Sequence, residues 1–165
     1  MTEPLPLLRD TVRPEWIDYN GHMSEAFYVL VFGYATDAMM IETGLHAGYR
    51  DSTGCSLYTV EAHIRYLRDV AEGAPLAVRT RILGADAKKA RFTHELYVVD
   101  QPDAPLASDA EPVATTELLA LHVDQQAGRA APFPDEIRAR LVALTEPAPD
   151  WAGRSIAKVT GLQAK

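Results

Sequence analysis

Apolar residues follow two different rhythms along this chain. From Ser24 to Thr43, SEAFYVLVFGYATDAMMIET, they occupy nearly the whole circumference of a helical wheel, and Gly44 follows where a helix stops. At 1.5 Å per residue this run reaches about 30 Å, enough to cross a small domain or a bilayer. Glu25, Asp37 and Glu42 interrupt it and strand-like segments follow that can wrap it, so it reads as a helix buried on most sides of a soluble domain.

The remainder shifts to a period of two. In SLYTVEAHIRYLRDV, Tyr58, Val60, Ala62, Ile64 and Tyr66 share one face, and Thr59, Glu61, His63 and Arg65 form a charge ladder on the other. PLAVRTRILG, KARFTHELYVVD and PVATTELLALHVD alternate similarly between Gly, Pro or Asp punctuation, and LPLLRDTVRPEW adds an earlier strand weakened by Pro14. Short links favour antiparallel pairing. The pattern therefore predicts an α+β domain, a curved antiparallel sheet of about five strands around a long central helix. One domain is expected over residues 1–165, its core spanning about 8–140. Residues 133–165 then hold a short amphipathic helix in FPDEIRARLVALTE and a loose tail; DQPDAPLASDAEP reads as a surface loop. Val113, Leu119, Leu121 and Val123 fall on one alternation of the last strand, which makes them an apolar outer face.

Composition adds limits. With 47% hydrophobic and 24% charged residues, 165 residues suit one ordinary globular core. A formal charge of −7 argues against a nucleic-acid surface. The start, MTEPLPLLRD, lacks a basic segment followed by an apolar one, so a cytoplasmic protein without a secretion signal is expected. The single Cys55 builds neither a disulfide nor a cysteine zinc site and reads as an incidental thiol. No P-loop, GxGxxG, HExxH, zinc spacing or internal repeat occurs, so neither a metal nor a separate cofactor is expected.

The chemistry concentrates in WIDYNGHMSEAFY, residues 16–28, where a carboxylate, an Asn-Gly turn and a histidine precede the helix among bulky aromatics. Asp18, Asn20 and Ser24 are each suitable helix caps. A strand ending in Asp18, Gly21 and His22, with Tyr28 six residues past the histidine on a long helix, resembles the hotdog-fold acyl-CoA thioesterases of the 4-hydroxybenzoyl-CoA type. LHVDQQAGRAAPFP is similar to that family's last strand and ending, so the resemblance covers about residues 8 to 140. PEWIDYNGHMSEAFY and YTVEAHIRYLRDV further resemble the branch fused to some L-carnitine dehydrogenases, which acts on betainyl-CoA.

The resemblance implies thioester hydrolysis with CoA as part of the substrate, and a homodimer or homotetramer with sites between subunits. It makes Asp18 the general base for water or the direct nucleophile, with unpaired N–H groups around Gly21, His22 and Met23 and the helix dipole polarising the carbonyl. Gly21 would let the substrate approach closely, and His22 would fix the loop or carry a proton. Many members carry Asn where this chain has Glu25. For a trimethylammonium acyl group, Glu25 with Trp16, Tyr19 and Tyr28 would supply a carboxylate and aromatic faces. Asp37 would be paired or sit at a subunit contact. A general short-chain or aromatic acyl-CoA thioesterase, a hotdog enoyl-CoA hydratase using Asp18 and His22, or a non-catalytic acyl-CoA binding module remains open at this point.

Overall fold

A computed structural model describes residues 3–161. Strand β1 (Leu8–Thr11) and a 3-10 turn (Pro14–Trp16) precede helix α1 (Glu25–Thr43) and the short α2 (Ala47–Thr53). Strands β2 (Cys55–Tyr66), β3 (Pro75–Ala85), β4 (Lys89–Val98), β5 (Ala114–Asp124) and β6 (Arg129–Ala130) follow, then α3 (Asp135–Ala143). The sheet runs β1-β3-β4-β5-β2 with antiparallel neighbours, and β6 pairs with the end of β5 at Val123 and Asp124. The α+β architecture read from the sequence is the one observed.

Helix α1 lies in the hollow of this sheet. Its first half packs Tyr28, Val31, Phe32 and Ala35 against Val12, Trp16, Leu76, Val78 and Leu96. Its second half packs Met39 and Met40 against Ile82, Phe92 and Leu118, with Ile137 and Leu141 of α3 closing that end. Gly44 ends α1 at φ 95°, a left-handed conformation that costs glycine little. A polar rivet fastens helix to sheet: His94 is fully buried, its Nε2 2.8 Å from Thr36 Oγ1 and its Nδ1 2.8 Å from Thr80 Oγ1. Removal from water pushes the pKa of this imidazole down to about 3, so it is neutral.

Several features differ from the pattern reading. Helix α1 is not enclosed on most sides: Ala26, Leu30, Gly33, Asp37 and Ile41 form an exposed stripe, and Asp37 lies on it without an ion-pair partner among the described residues. The alternation of β2 is broken. Thr59 pairs with Ala120 but Glu61 with Leu119, so Val60 is an extra residue in a bulge. Leu57 therefore faces the core before the bulge and Ile64 after it, while Tyr58 and Val60 are exposed on an edge strand. Val113 belongs to the core rather than to the outer face, where Leu119, Leu121 and Val123 are half-buried.

Helix α2 was not expected, because its residues carry no apolar period. It is capped by His46, whose Nδ1 accepts the Tyr49 N–H, and is anchored by Tyr49 Oη 2.7 Å from His122 Nε2. FPDEIRARLVALTE forms α3 as expected. The tail is not wholly loose, since the Gly153 N–H donates to Glu117 Oε2 on the outer sheet face; residues 162–165 lie outside the described residues.

Candidate active site

Between the 3-10 turn and α1 the chain closes a tight loop. Ile17 and Met23 pair as an antiparallel bridge, the Asp18 N–H donates to the His22 carbonyl at 3.1 Å, and the Gly21 N–H donates to the Asp18 carbonyl at 2.9 Å. The Met23 N–H is taken by the Val70 carbonyl at 2.9 Å, and the Ser24 N–H by the Trp16 carbonyl at 2.9 Å. Asp18 is half-buried; its Oδ1 accepts the Asn20 N–H at 2.8 Å, and its Oδ2 has no partner among the described residues. It holds the turn rather than capping the helix. Ser24 occupies the cap position but makes no side-chain capping bond.

A cleft of about 900 Å³ opens between this loop, the first turn of α1 and the end of β2. It brings together Asp18, Tyr19, His22, Met23, Glu25 and Tyr28 from the sequence-derived set. Two members of that set lie outside it. Trp16 is 2% exposed, stacked on Phe27 at 5.5 Å with the Arg13 guanidinium 5.1 Å from its ring, so it is a core residue and not a wall. Gly21 does not line the cleft, and a methyl group there would meet nothing within 4 Å. Its purpose is the φ of +79° that the turn demands, not close approach of a substrate.

The proposed carbonyl-polarising donors also change. The Gly21 and Met23 amides already have acceptors, whereas those of His22, Glu25 and Ala26 have none among the described residues. The latter two sit at the positive end of the α1 dipole. The Met23 side chain is buried.

Tyr66, Arg68 and Asp69 line the cleft and were missed as site residues. Tyr66 read as part of a half-buried strand face. The signal available was the aromatic immediately followed by Leu67, Arg68 and Asp69, a strand ending in opposite charges. The Tyr28 hydroxyl donates to the Arg68 carbonyl at 3.0 Å, and the Tyr28 and Tyr66 rings meet edge to face at 5.1 Å and 83°. Burial, then the nearby Asp69 charge and Tyr66, raise the Tyr28 pKa; burial, then the Glu25 charge, raise that of Tyr66. His22 Nδ1 is 3.9 Å from Asp69 Oδ2, and the Arg68 guanidinium is occupied by Glu111. The cleft is thus acidic, with Asp18, Glu25 and Asp69 around an aromatic corner and its one arginine already paired. Among the described residues no three His, Cys, Asp or Glu side chains converge as a metal-ligand set.

Residues 12–141 match the model of the Thioesterase-like superfamily. Over 161 residues the chain is 43% identical to the betainyl-CoA thioesterase of Pseudomonas aeruginosa, covering 94% of this chain and 96% of that one. It is 44% identical to part of the L-carnitine dehydrogenase/betainyl-CoA thioesterase of Agrobacterium fabrum, covering 94% of this chain and 31% of that longer one. A solved candidate thioesterase from Pseudomonas putida KT2440 superposes with a TM-score of 0.76 at 38% identity, covering 96% of this chain and 99% of that one. On a match over most of its length and the curled antiparallel sheet around one long helix, the chain belongs to the thioesterase-like superfamily and has the hotdog fold.

Proposed function

We propose that this chain hydrolyses a short acyl-CoA thioester, betainyl-CoA, to betaine and free CoA. The observation that carries the reading is the cleft at the start of α1, where a half-free carboxylate, unengaged amides and an acidic aromatic corner meet. CoA is polyanionic, so three carboxylates oppose binding of its nucleotide end and favour a cationic acyl end. The name of the Pseudomonas aeruginosa relative supports the same substrate.

In this reading Asp18 Oδ2 takes a proton from water as the water oxygen adds to the thioester carbon. The N–H groups at the start of α1 hold the carbonyl oxygen as it gains charge. Collapse breaks the C–S bond, and the thiolate, whose conjugate acid has a pKa of about 8.5 in a simple thiol, leaves and takes up the proton with little help. Direct attack by Asp18 on the carbon would need the same carboxylate. His22 holds the loop through its carbonyl, and its exposed ring stands by Asp69.

The working form is a homodimer or homotetramer. Edge strand β2 exposes Tyr58 and Val60, and the α1 stripe exposes Leu30 and Ile41, both adjoining the elements that form the cleft. No described helix is long and apolar enough to cross a membrane; action in the cytoplasm completes the proposal.

Thiol release tests the reading with betainyl-CoA and with 3,3-dimethylbutanoyl-CoA, a nearly isosteric neutral analogue. Betainyl-CoA is expected to show the higher kcat/KM, and Asp18→Asn to lower kcat at least a hundredfold in a folded protein. Binding without thiol release, or water addition to crotonyl-CoA as the main activity, overturns it.

A further inference from the structure

We infer that Tyr66 and Asp69, at the end of β2 and just beyond it, set the preference of this cleft for a quaternary ammonium acyl group. The inference rests on the thioesterase reading above and assigns its specificity to residues from outside the loop-helix motif. A trimethylammonium group carries no N–H, so it is recognised by aromatic faces and by the field of nearby carboxylates rather than by hydrogen bonds.

The corner formed by Tyr28 and Tyr66 has that character. Their rings stand at 83° with centroids 5.1 Å apart, and both hydroxyls are turned to main-chain carbonyls, Tyr28 to Arg68 at 3.0 Å and Tyr66 to Glu25 at 3.5 Å. Tyr28 is 4% exposed and Tyr66 45%, so Tyr66 supplies most of the open aromatic surface. Each ring has a carboxylate in range. Asp69 stands near Tyr28 and Glu25 near Tyr66; burial first, and then these charges, hold both phenols above their ordinary pKa. Among the described residues no cation stands over either ring, and Arg68 is held by Glu111. Trp16, the aromatic that the sequence motif offers for this role, is sealed beneath Phe27 and Arg13. A neutral acyl group of the same shape would gain contact with the rings but nothing from the carboxylates.

The test is the ratio of kcat/KM for betainyl-CoA to that for 3,3-dimethylbutanoyl-CoA, measured in the unmutated protein and in Tyr66→Leu, Tyr66→Phe and Asp69→Asn. Tyr66→Leu is expected to reduce the ratio about tenfold, the scale of one desolvated cation–π contact, and Tyr66→Phe to restore it because the ring face survives. Asp69 is 80% exposed, so Asp69→Asn disturbs packing little and is expected to reduce the ratio a few-fold, more at low salt. A preference in the unmutated protein that persists in both Tyr66→Leu and Asp69→Asn overturns this inference while the betainyl reading stands. Thiol release from both substrates at equal efficiency in the unmutated protein overturns the substrate reading, and this inference with it.

Discussion

Trp16 and Tyr66 show how little residue type says about residue role. Both are large aromatics near the candidate base in the folded chain, yet the indole is sealed in the core and the phenol opens to the cleft. Trp16 is buried, with Phe27 stacked on its ring and the Arg13 guanidinium over it, and its carbonyl accepts the Ser24 N–H at the helix start. Its loss is a matter of stability. Trp16→Leu is expected to lower the unfolding free energy by about 2–4 kcal/mol through lost burial and cavity formation, measured by urea denaturation. The substrate ratio of the folded fraction is expected to stay near its original value; a collapse of that ratio at full stability would return Trp16 to the site. By position Asp18 was one of three suitable helix caps, and only the family resemblance singled it out as a base; its turn-holding bond to Asn20 and its second oxygen, without a partner among the described residues, were not legible at all. Gly21 was read as leaving room for a substrate, whereas the turn needs it for its positive φ.

At the scale of elements, the strand pattern was read correctly where an inner and an outer face have different solvents. It failed at Val60, because a period of two carries no record of an inserted residue and the bulge is fixed by pairing with β5. Helix α1 was legible from its apolar composition and Gly44, while its fastening to the sheet through His94 was not, since a buried histidine looks like any other in sequence. That fastening has a pH signature. Above the unfolded pKa of about 6.5, His94 is neutral in both states and adds no pH dependence. As pH falls below that value the unfolded chain binds a proton that the folded site refuses, so stability declines until the folded pKa of about 3 is reached. His94→Gln is expected to flatten the acid-side slope of the unfolding free energy by up to one proton, about 1.4 kcal/mol per pH unit. Equal slopes in the two proteins would mean that His94 is not held neutral.

For the whole molecule, the exposed edge of β2 and the open stripe on α1 belong to the two elements whose ends wall the cleft. An edge strand that shows Tyr58 and Val60 to water offers unpaired backbone groups to a second copy. Light scattering at micromolar concentration is expected to give at least twice the mass of one chain. Val60→Lys, which places a charge on that edge, is expected to shift the distribution toward monomer and to lower activity with it. A fully active monomer would remove the proposal that the working form is an oligomer.

The sequence by itself determined the class of fold, the long central helix, the succession of strands along the chain and the loop that carries Asp18, because solvent periodicity and turn chemistry are local properties of the chain. Only the tertiary structure decided which aromatic faces the cleft, where the bulge in β2 falls, which amides remain free and that Tyr66, Arg68 and Asp69 stand beside Asp18. Those outcomes depend on contacts between residues some 40 to 60 positions apart, such as the Tyr28 hydroxyl on the Arg68 carbonyl, the Met23 amide on that of Val70 and the pairing of Thr59 with Ala120. Burial and hydrogen-bond satisfaction at such separations are settled by how the sheet curls around the helix, and a one-dimensional pattern does not encode that curl.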